Sequence, residues 1–274
     1  MPTNNIYAVI VLYNTSLTDS ITCQNLLKIK NHKIHTIIVD NSVKKNNNDQ
    51  LSNKLNFTYL SMHGNVGLSK AYNKVLDYLQ GKDGLVIWFD DDTNVTQEYF
   101  DKLEEAVNQN SQVDVFVPII MGQDKKFWSP NKARFFKNKQ IKSINEKIDN
   151  SDFNAINSCT AVRLRDYKSY RYNEKLFLDQ VDQNFFDEQR KLNRKFFVLK
   201  TVIHHNFSLK KKNISEKDLE KRYKLRISDF KTYCLIQNKS LFLCKTKILL
   251  WGLRETVNTR RMETINFFMK ELGK

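Results

Sequence analysis

Three short runs of this chain, Tyr7–Tyr13, Ile34–Val39 and Leu85–Phe89, are almost wholly apolar. A strand with one wet face alternates apolar and polar residues. An unbroken apolar run of this length bounded by polar residues fits a strand covered on both faces. Phe57–Leu60 and Val113–Ile120 are further strand candidates. Helical spacing separates them: Leu68, Tyr72, Val75 and Leu79 form one apolar stripe, and Phe100, Leu103 and Val107 another. Gly81 closes the first of these helices. Strand and helix in alternation predict an α/β chain with a mostly parallel sheet and helices on both faces. In such sheets ligands sit at the carboxyl ends of the strands.

Those ends are polar. The first run ends in Tyr13-Asn14, the second in Asp40-Asn41-Ser42, and the fourth in Asp90-Asp91-Asp92. Three adjacent carboxylates at a strand end repel one another unless a cation or a polyhydroxyl ligand joins them. Mg2+ and Mn2+ take oxygen ligands, commonly one or two carboxylates plus substrate phosphates, so strand-Asp-x-Asp suggests a metal-bridged diphosphate site. The alternative is a solvated acidic turn opening the helix near Thr96, because Asp is also favoured at helix starts. Asn and Asp are ordinary turn residues too, and Gly64 and Gly67 ordinary loop glycines. Three polar ends on one edge of one sheet nevertheless converge as a ligand site does.

Composition narrows the classes. An apolar fraction of 41% supports a sizeable core, and only 7 Gly and 3 Pro exclude collagen-like and loop-dominated chains. Cys23, Cys159, Cys234 and Cys244 lie far apart without a C-x-x-C pair, which predicts reduced thiols in a cytoplasmic protein, without zinc or a disulfide framework. Neither a signal peptide nor a transmembrane stretch is legible. Net charge is +15, and residues 210–274 carry 17 Lys/Arg against 7 Asp/Glu. Such a basic end can face nucleic acid, an anionic membrane or water. No zinc finger, RRM aromatic signature or GXXG loop accompanies it.

Residues 121–154 are polar and lysine-rich and predict a long loop or hairpin near the site. Asn157–Val162 is a run of small residues where backbone can approach a ligand. Phe177–Gln183 leads into a helix ending near Leu192. Phe196–Leu199 is a further strand, followed by His204 and His205. Adjacent residues on a strand point to opposite faces, so only one of these two histidines is expected to serve a site.

Six motifs in order make the chain resemble the family-2 glycosyltransferases, inverting enzymes of the GT-A fold, and within them the bacterial rhamnosyl- and galactofuranosyltransferase branch. They are Val11-Leu12-Tyr13-Asn14, Val39-Asp40-Asn41-Ser42, Gly64-Asn65-Val66-Gly67-Leu68-Ser69-Lys70-Ala71-Tyr72-Asn73, Trp88-Phe89-Asp90-Asp91-Asp92, Phe177-Leu178-Asp179-Gln180-Val181-Asp182, and His205-Asn206-Phe207-Ser208. The resemblance covers residues 6–208 and implies a catalytic domain over 1–208, with a basic, mainly helical extension over 209–274.

It also implies roles. Tyr13, Asn14 and Asp40 would contact the nucleotide base. Asn65, Gly67 and Lys70 would lie under the nucleotide-sugar. Asp90 and Asp91 would meet the donor, while Asp92, with Asp90 and His205, would hold Mn2+ or Mg2+; His204 is the alternative ligand. An inverting transfer needs a carboxylate to take the acceptor proton. Asp182 matches the family position of that base; Asp179 either orients the acceptor or is itself the base. Ser158-Cys159 stands where the family often has Ser-Gly or Gly-Gly.

The implied donor is dTDP-rhamnose, UDP-galactofuranose or another UDP-hexose. The implied acceptor is a lipid-linked oligosaccharide of bacterial surface polysaccharide synthesis, met at the inner face of the plasma membrane. The stretch Leu241–Trp251 reads equally as an interfacial helix on an anionic membrane, a packing element on the catalytic domain, or a homo-oligomer contact. The competing class is a non-catalytic protein that binds nucleic acid or anionic surfaces through the basic tail.

Overall fold

The five strand candidates of the first half form strands within two residues of their expected bounds in the computed structural model, which describes residues 5–31, 33–205 and 216–273, while the sixth, Phe196–Leu199, runs on to His205. In chain order the first half runs β1 (Ile6–Leu12), α1 (Ile21–Leu26), β2 (Ile34–Asp40), α2 (Asn48–Lys54), β3 (Thr58–Ser61), α3 (Leu68–Tyr78), β4 (Leu85–Phe89) and α4 (Gln97–Gln109). Next come β5 (Val115–Gly122), β6 (Phe127–Ser129), β7 (Asn131–Lys132), β8 (Lys139–Gln140), β9 (Phe153–Asn154) and β10 (Thr160–Arg163). The chain continues with α5 (Val181–Lys191), β11 (Phe196–His205), α6 (Glu216–Ile236), α7 (Leu241–Thr259) and α8 (Met262–Leu272).

The main sheet has the order β11-β5-β10-β4-β1-β2-β3, with β6 paired to β5. All neighbours along that path are parallel except β10, which runs antiparallel to both β4 and β5. Thr160 lies opposite Trp88, and Ala161 pairs with both Ile87 and Phe116. Thr160 to Val162 thus lie inside the sheet, beside the strand that ends in the Asp triplet, with Asn157 to Cys159 leading into it.

Alternation along β4 divides the core in two. Val86 and Trp88 join the cluster that includes Val75 of α3, whereas Leu85, Ile87 and Phe89 join the cluster that includes Phe100 and Leu103 of α4. Burial of the β4 side chains on both faces accounts for its unbroken apolar run.

One expectation needs correction. Residues 121–154, expected to be a loop or hairpin, carry β6 and a separate three-stranded sheet of order β8-β7-β9. Its strands are two residues long, too short to show a period in sequence. The basic C-terminal part packs against the α/β body: Ile227, Phe230, Tyr233, Ile248 and Phe268 belong to the same buried cluster as Phe185 and Phe186 of α5. Leu241–Trp251 packs on the body through one face: Trp251 and Lys247 sit on Phe230, and Lys247 donates to the Phe135 carbonyl. No helix among the described residues is long and apolar enough to cross a membrane.

Candidate active site

The Asp triplet sits on a turn fastened from below by its own backbone. Ser20, the N-cap of α1, accepts from Cys23 N and donates its hydroxyl to the Asp91 carbonyl at 2.7 Å. The Thr22 hydroxyl donates to the Asp90 carbonyl at 2.5 Å and accepts from Thr93 N at 2.9 Å. Thr93 in turn meets the Ser158 hydroxyl at 3.1 Å. Trp88, two residues earlier, donates from Nε1 to the Tyr167 hydroxyl at 2.9 Å and packs on Tyr72 with ring centroids 4.2 Å apart. The backbone carbonyls of Asp90 and Asp91 are thus anchored by hydroxyls of α1 and its cap. Asp90 is exposed, and Asp91 and Asp92 are half-buried.

The first two strand ends are joined to each other. Asn14, at φ +55°, donates from its backbone N to Ser42 Oγ at 2.8 Å, and its Oδ1 accepts from Val43 N and Lys44 N. The buried Asp40 carboxylate accepts from Ser42 N at 3.0 Å, Asn48 Nδ2 at 3.1 Å and the Tyr59 hydroxyl at 3.1 Å. Burial works against its charge, but donors from Ser42, Asn46 and Asn48 prevail and hold it below the usual carboxylate range. Asp40, Ser42, Lys44, Lys45, Tyr59 and His63 line an open cleft of about 680 Å³. Tyr13 is exposed beside this edge, with half of its surface free.

Asn65 Oδ1 accepts from Asn41 Nδ2 at 3.0 Å and from Gly67 N, while Asn41 Oδ1 accepts from Val66 N at 2.9 Å. This pair shapes the turn into α3. Gly67, the N-cap of α3, has φ +92°, a conformation glycine adopts without cost. Lys70 is exposed on the first turn of that helix. Asn73 of α3 exchanges hydrogen bonds with Tyr172, donating to its carbonyl at 2.9 Å and accepting from its N at 3.0 Å.

Asp182 and Asp179 have different surroundings. Asp182 lies on the first turn of α5, half-buried, with its charge opposed by loss of water, then by Asp90 and Asp179; the Asn157 backbone N–H offsets part of this. Its carboxyl is pushed up to about 7. Asp179 is gripped by both terminal nitrogens of Arg222 from α6. A carboxylate held in such a fork has its oxygens engaged with a permanent cation. Nothing local in the sequence pointed to Arg222.

The described residues contain no group of three His, Cys, Asp or Glu side chains that could hold a metal ion. Asp90, Asp91 and Asp92 at the end of β4 carry oxygen groups of the hard kind that divalent cations take. His204 is exposed and pairs in register with Met121; the His205 backbone pairs with Gly122, and its side chain lies outside the described residues, as do Asn206 to Ser208. Two strands separate β11 from β4, roughly 14 Å at the usual spacing.

Comparison with known proteins places this arrangement. The Glycosyl transferase family 2 profile matches residues 7–171, more than half of the chain, and the protein belongs to that family. It is 27% identical over 184 residues to dTDP-rhamnosyl transferase RfbF of Shigella flexneri, covering 65% of this chain and 61% of that protein, so the match spans less than two thirds of its length. Among solved structures it is similar to S. aureus TarS 1-349 in complex with UDP-GlcNAc, with a TM-score of 0.56 and 14% identity over 98% of this chain and 80% of that one. It is also similar to the mannosyltransferase PcManGT of Pyrobaculum calidifontis in complex with GDP-Man and Mn2+, with a TM-score of 0.55 and 11% identity over 84% and 64%. These structural likenesses are of fold, and the fold is the expected GT-A type with C-terminal helices.

Proposed function

We propose that the protein is an inverting glycosyltransferase that moves a sugar from a nucleotide-diphosphate donor to an acceptor hydroxyl. The observation that carries this reading is the placement of Asp182, half-buried on the first turn of α5 in the field of Asp90 at the head of β4, where loss of water and that charge raise its carboxyl. A general base works best with a pKa near the operating pH. The acceptor oxygen attacks the anomeric carbon, its proton passes to Asp182, and the bond to the diphosphate oxygen breaks. Asp179 is assigned the orienting role, because Arg222 already occupies its carboxylate. Tyr13 and the cleft beside Asp40 receive the base and ribose, and the Asn65–Gly67 turn with Lys70 lies under the diphosphate. Asp90 and Asp92 would hold Mn2+ or Mg2+. Such an ion supplies charge neutralisation for the departing diphosphate.

The relative's name favours dTDP-rhamnose as the first donor to try, ahead of UDP-galactofuranose and other UDP-hexoses. We assign the acceptor to the lipid-linked oligosaccharides of surface polysaccharide synthesis, at the cytoplasmic face of the membrane. The rival reading, a tail that binds nucleic acid, loses cations to the interior: Arg222 pairs with Asp179, Arg226 stacks on Trp251 at 4.1 Å, and Lys247 is half-buried among aromatic rings.

The test is release of free nucleotide from a panel of nucleotide-sugars, with and without Mn2+, alongside thermal shift. Mn2+-dependent stabilisation and turnover by one donor is the expected result. Salt-sensitive binding of random DNA with silence toward every donor overturns the proposal.

A further inference from the structure

We propose that α6 is part of the active site, with Asp229 and Arg222 as positioning residues that hold the segment bearing Asp182. The inference rests on the glycosyl-transfer reading above and goes beyond the family match, which ends at residue 171.

The segment Phe177–Gln180 has no regular secondary structure, and Gln180, the N-cap of α5, stands at φ +65° without a side-chain cap bond. Its anchorage is tertiary. The Asp229 carboxylate, 2% exposed, accepts three consecutive backbone N–H groups: Phe177 at 3.0 Å, Leu178 at 2.8 Å and Asp179 at 2.8 Å. Successive N–H groups turned to one side form an anion cradle. Here the anion is a side chain some fifty residues further along the chain. Seven residues before Asp229, two turns down the same face, Arg222 forks onto Asp179.

The stripe continues. Tyr233 donates to Asp187 Oδ2 at 2.5 Å, and Gln237 donates to Asn184 Oδ1 at 2.7 Å and Glu188 Oε1 at 2.8 Å. Residues 222, 229 and 233 form a polar face of α6 that Gln237, just past its end, continues, and the partners named here are on the 177–182 segment or on α5. Polar groups sunk in a core cost stability unless paired, and paired they fix one register. From the opposite side, Leu68 N donates to the Phe177 carbonyl. The segment is thus clamped between the donor-side turn and α6, and Asp182 begins three residues past the last clamped amide.

The experiment uses the full chain and the variants Asp229→Asn and Arg222→Met, with Lys224→Ala, exposed on the same helix, as control. Amide exchange at residues 177–179 is expected to accelerate at least about 10-fold in Asp229→Asn, with the β1 and β4 amides unchanged. Affinity for dTDP with Mn2+ should stay within about 2-fold. Turnover of dTDP-rhamnose, or of whichever nucleotide-sugar the wild type consumes, should fall by roughly 10- to 10²-fold, the usual consequence of a displaced catalytic group. Arg222→Met strips Asp179, beside Asp182, of its forked partner while Arg226 stays nearby, and should shift the acid limb of the rate profile upward; adding Asp179→Asn should reverse the shift. A merely structural role predicts no such reversal. Should Asp229→Asn fail to fold, the Arg222→Met pair decides.

Unchanged exchange in Asp229→Asn, or faster exchange with wild-type turnover, overturns the proposal. So does an Arg222→Met profile that Asp179→Asn leaves unmoved. If the wild type consumes no donor, the glycosyl-transfer reading itself fails and the positioning role with it; a failure of the clamp alone leaves the wild type active.

Discussion

Phe177 lies so close to Gly67 that a Cβ on the glycine would stand 2.8 Å from both its ring and its carbonyl oxygen. The turn into α3 and the segment leading to Asp182 therefore touch through the one residue type that leaves room, at a φ of +92° that side chains avoid. Gly67→Ala is expected to cost about 1–3 kcal/mol, seen as a lower denaturant midpoint, and to reduce donor affinity and turnover together. A variant of wild-type stability and turnover would mean that the contact is not tight.

Asp182→Asn separates chemistry from binding. It keeps shape and loses the proton acceptor, so turnover should drop roughly 10²-fold or more with donor affinity, by calorimetry, near wild type. Stability should move the other way. Folding raises this carboxyl from its usual 3.8 to about 7. The native state therefore favours the protonated form, and the stability that form lends is complete below pH 4 and lost as pH rises through 7. Without added divalent cation, Asp182→Asn should melt higher than wild type at pH 8 and equally at pH 4. Equal melting at both pH values would remove the electrostatic basis for choosing Asp182 over Asp179.

Asp92→Ala removes a charged oxygen donor from the end of β4, whose backbone anchors on Ser20 and Thr22 remain. The fold should survive, transfer should be abolished, and Mn2+-dependent nucleotide binding should weaken greatly. His205→Ala and His204→Ala, measured alongside, decide the third donor. Full wild-type activity in EDTA would sink the divalent-cation role.

Sheet, helix order and polar edge were legible because β4 and its neighbours are buried on both faces and therefore spelled in unbroken apolar letters. The antiparallel insertion of β10 was not. Four residues carry no direction, and the partners of Thr160 and Ala161 lie more than forty residues away. The same limit hid the anchors of the site. Asn14 and Asp40 stood out as polar strand ends, but only the fold shows that Ser42, Asn48 and Tyr59 engage them. The α6 stripe was illegible for a different reason: its polar residues alternate with buried Ile227 and Phe230, and nothing in a charge-rich tail marks Arg222 and Asp229 as the paired ones.

That stripe changes how the basic tail must be tested against membranes. Deleting everything past residue 208 would remove the clamp and part of the core, so loss of activity would say nothing about lipid. The informative surface is outward. On α7, Leu250, Leu253 and Val257 recur at helical spacing and are exposed, with Phe242 about two turns before Leu250 and Met262 at the start of α8. Lys245, Arg254, Arg260 and Arg261 flank them and are exposed as well. An apolar strip edged by cations suits an anionic leaflet, where each nearby Lys or Arg contributes about 1 kcal/mol. We expect the full chain to float with phosphatidylserine-containing vesicles at low salt and to be released as salt rises. Leu250→Asp with Leu253→Asp should abolish flotation while leaving the melting temperature and soluble-donor turnover at wild-type values. If the wild type ignores these vesicles, and the same pair of substitutions turns an oligomer into monomers by light scattering, the strip is a contact between copies of this chain and the membrane assignment falls.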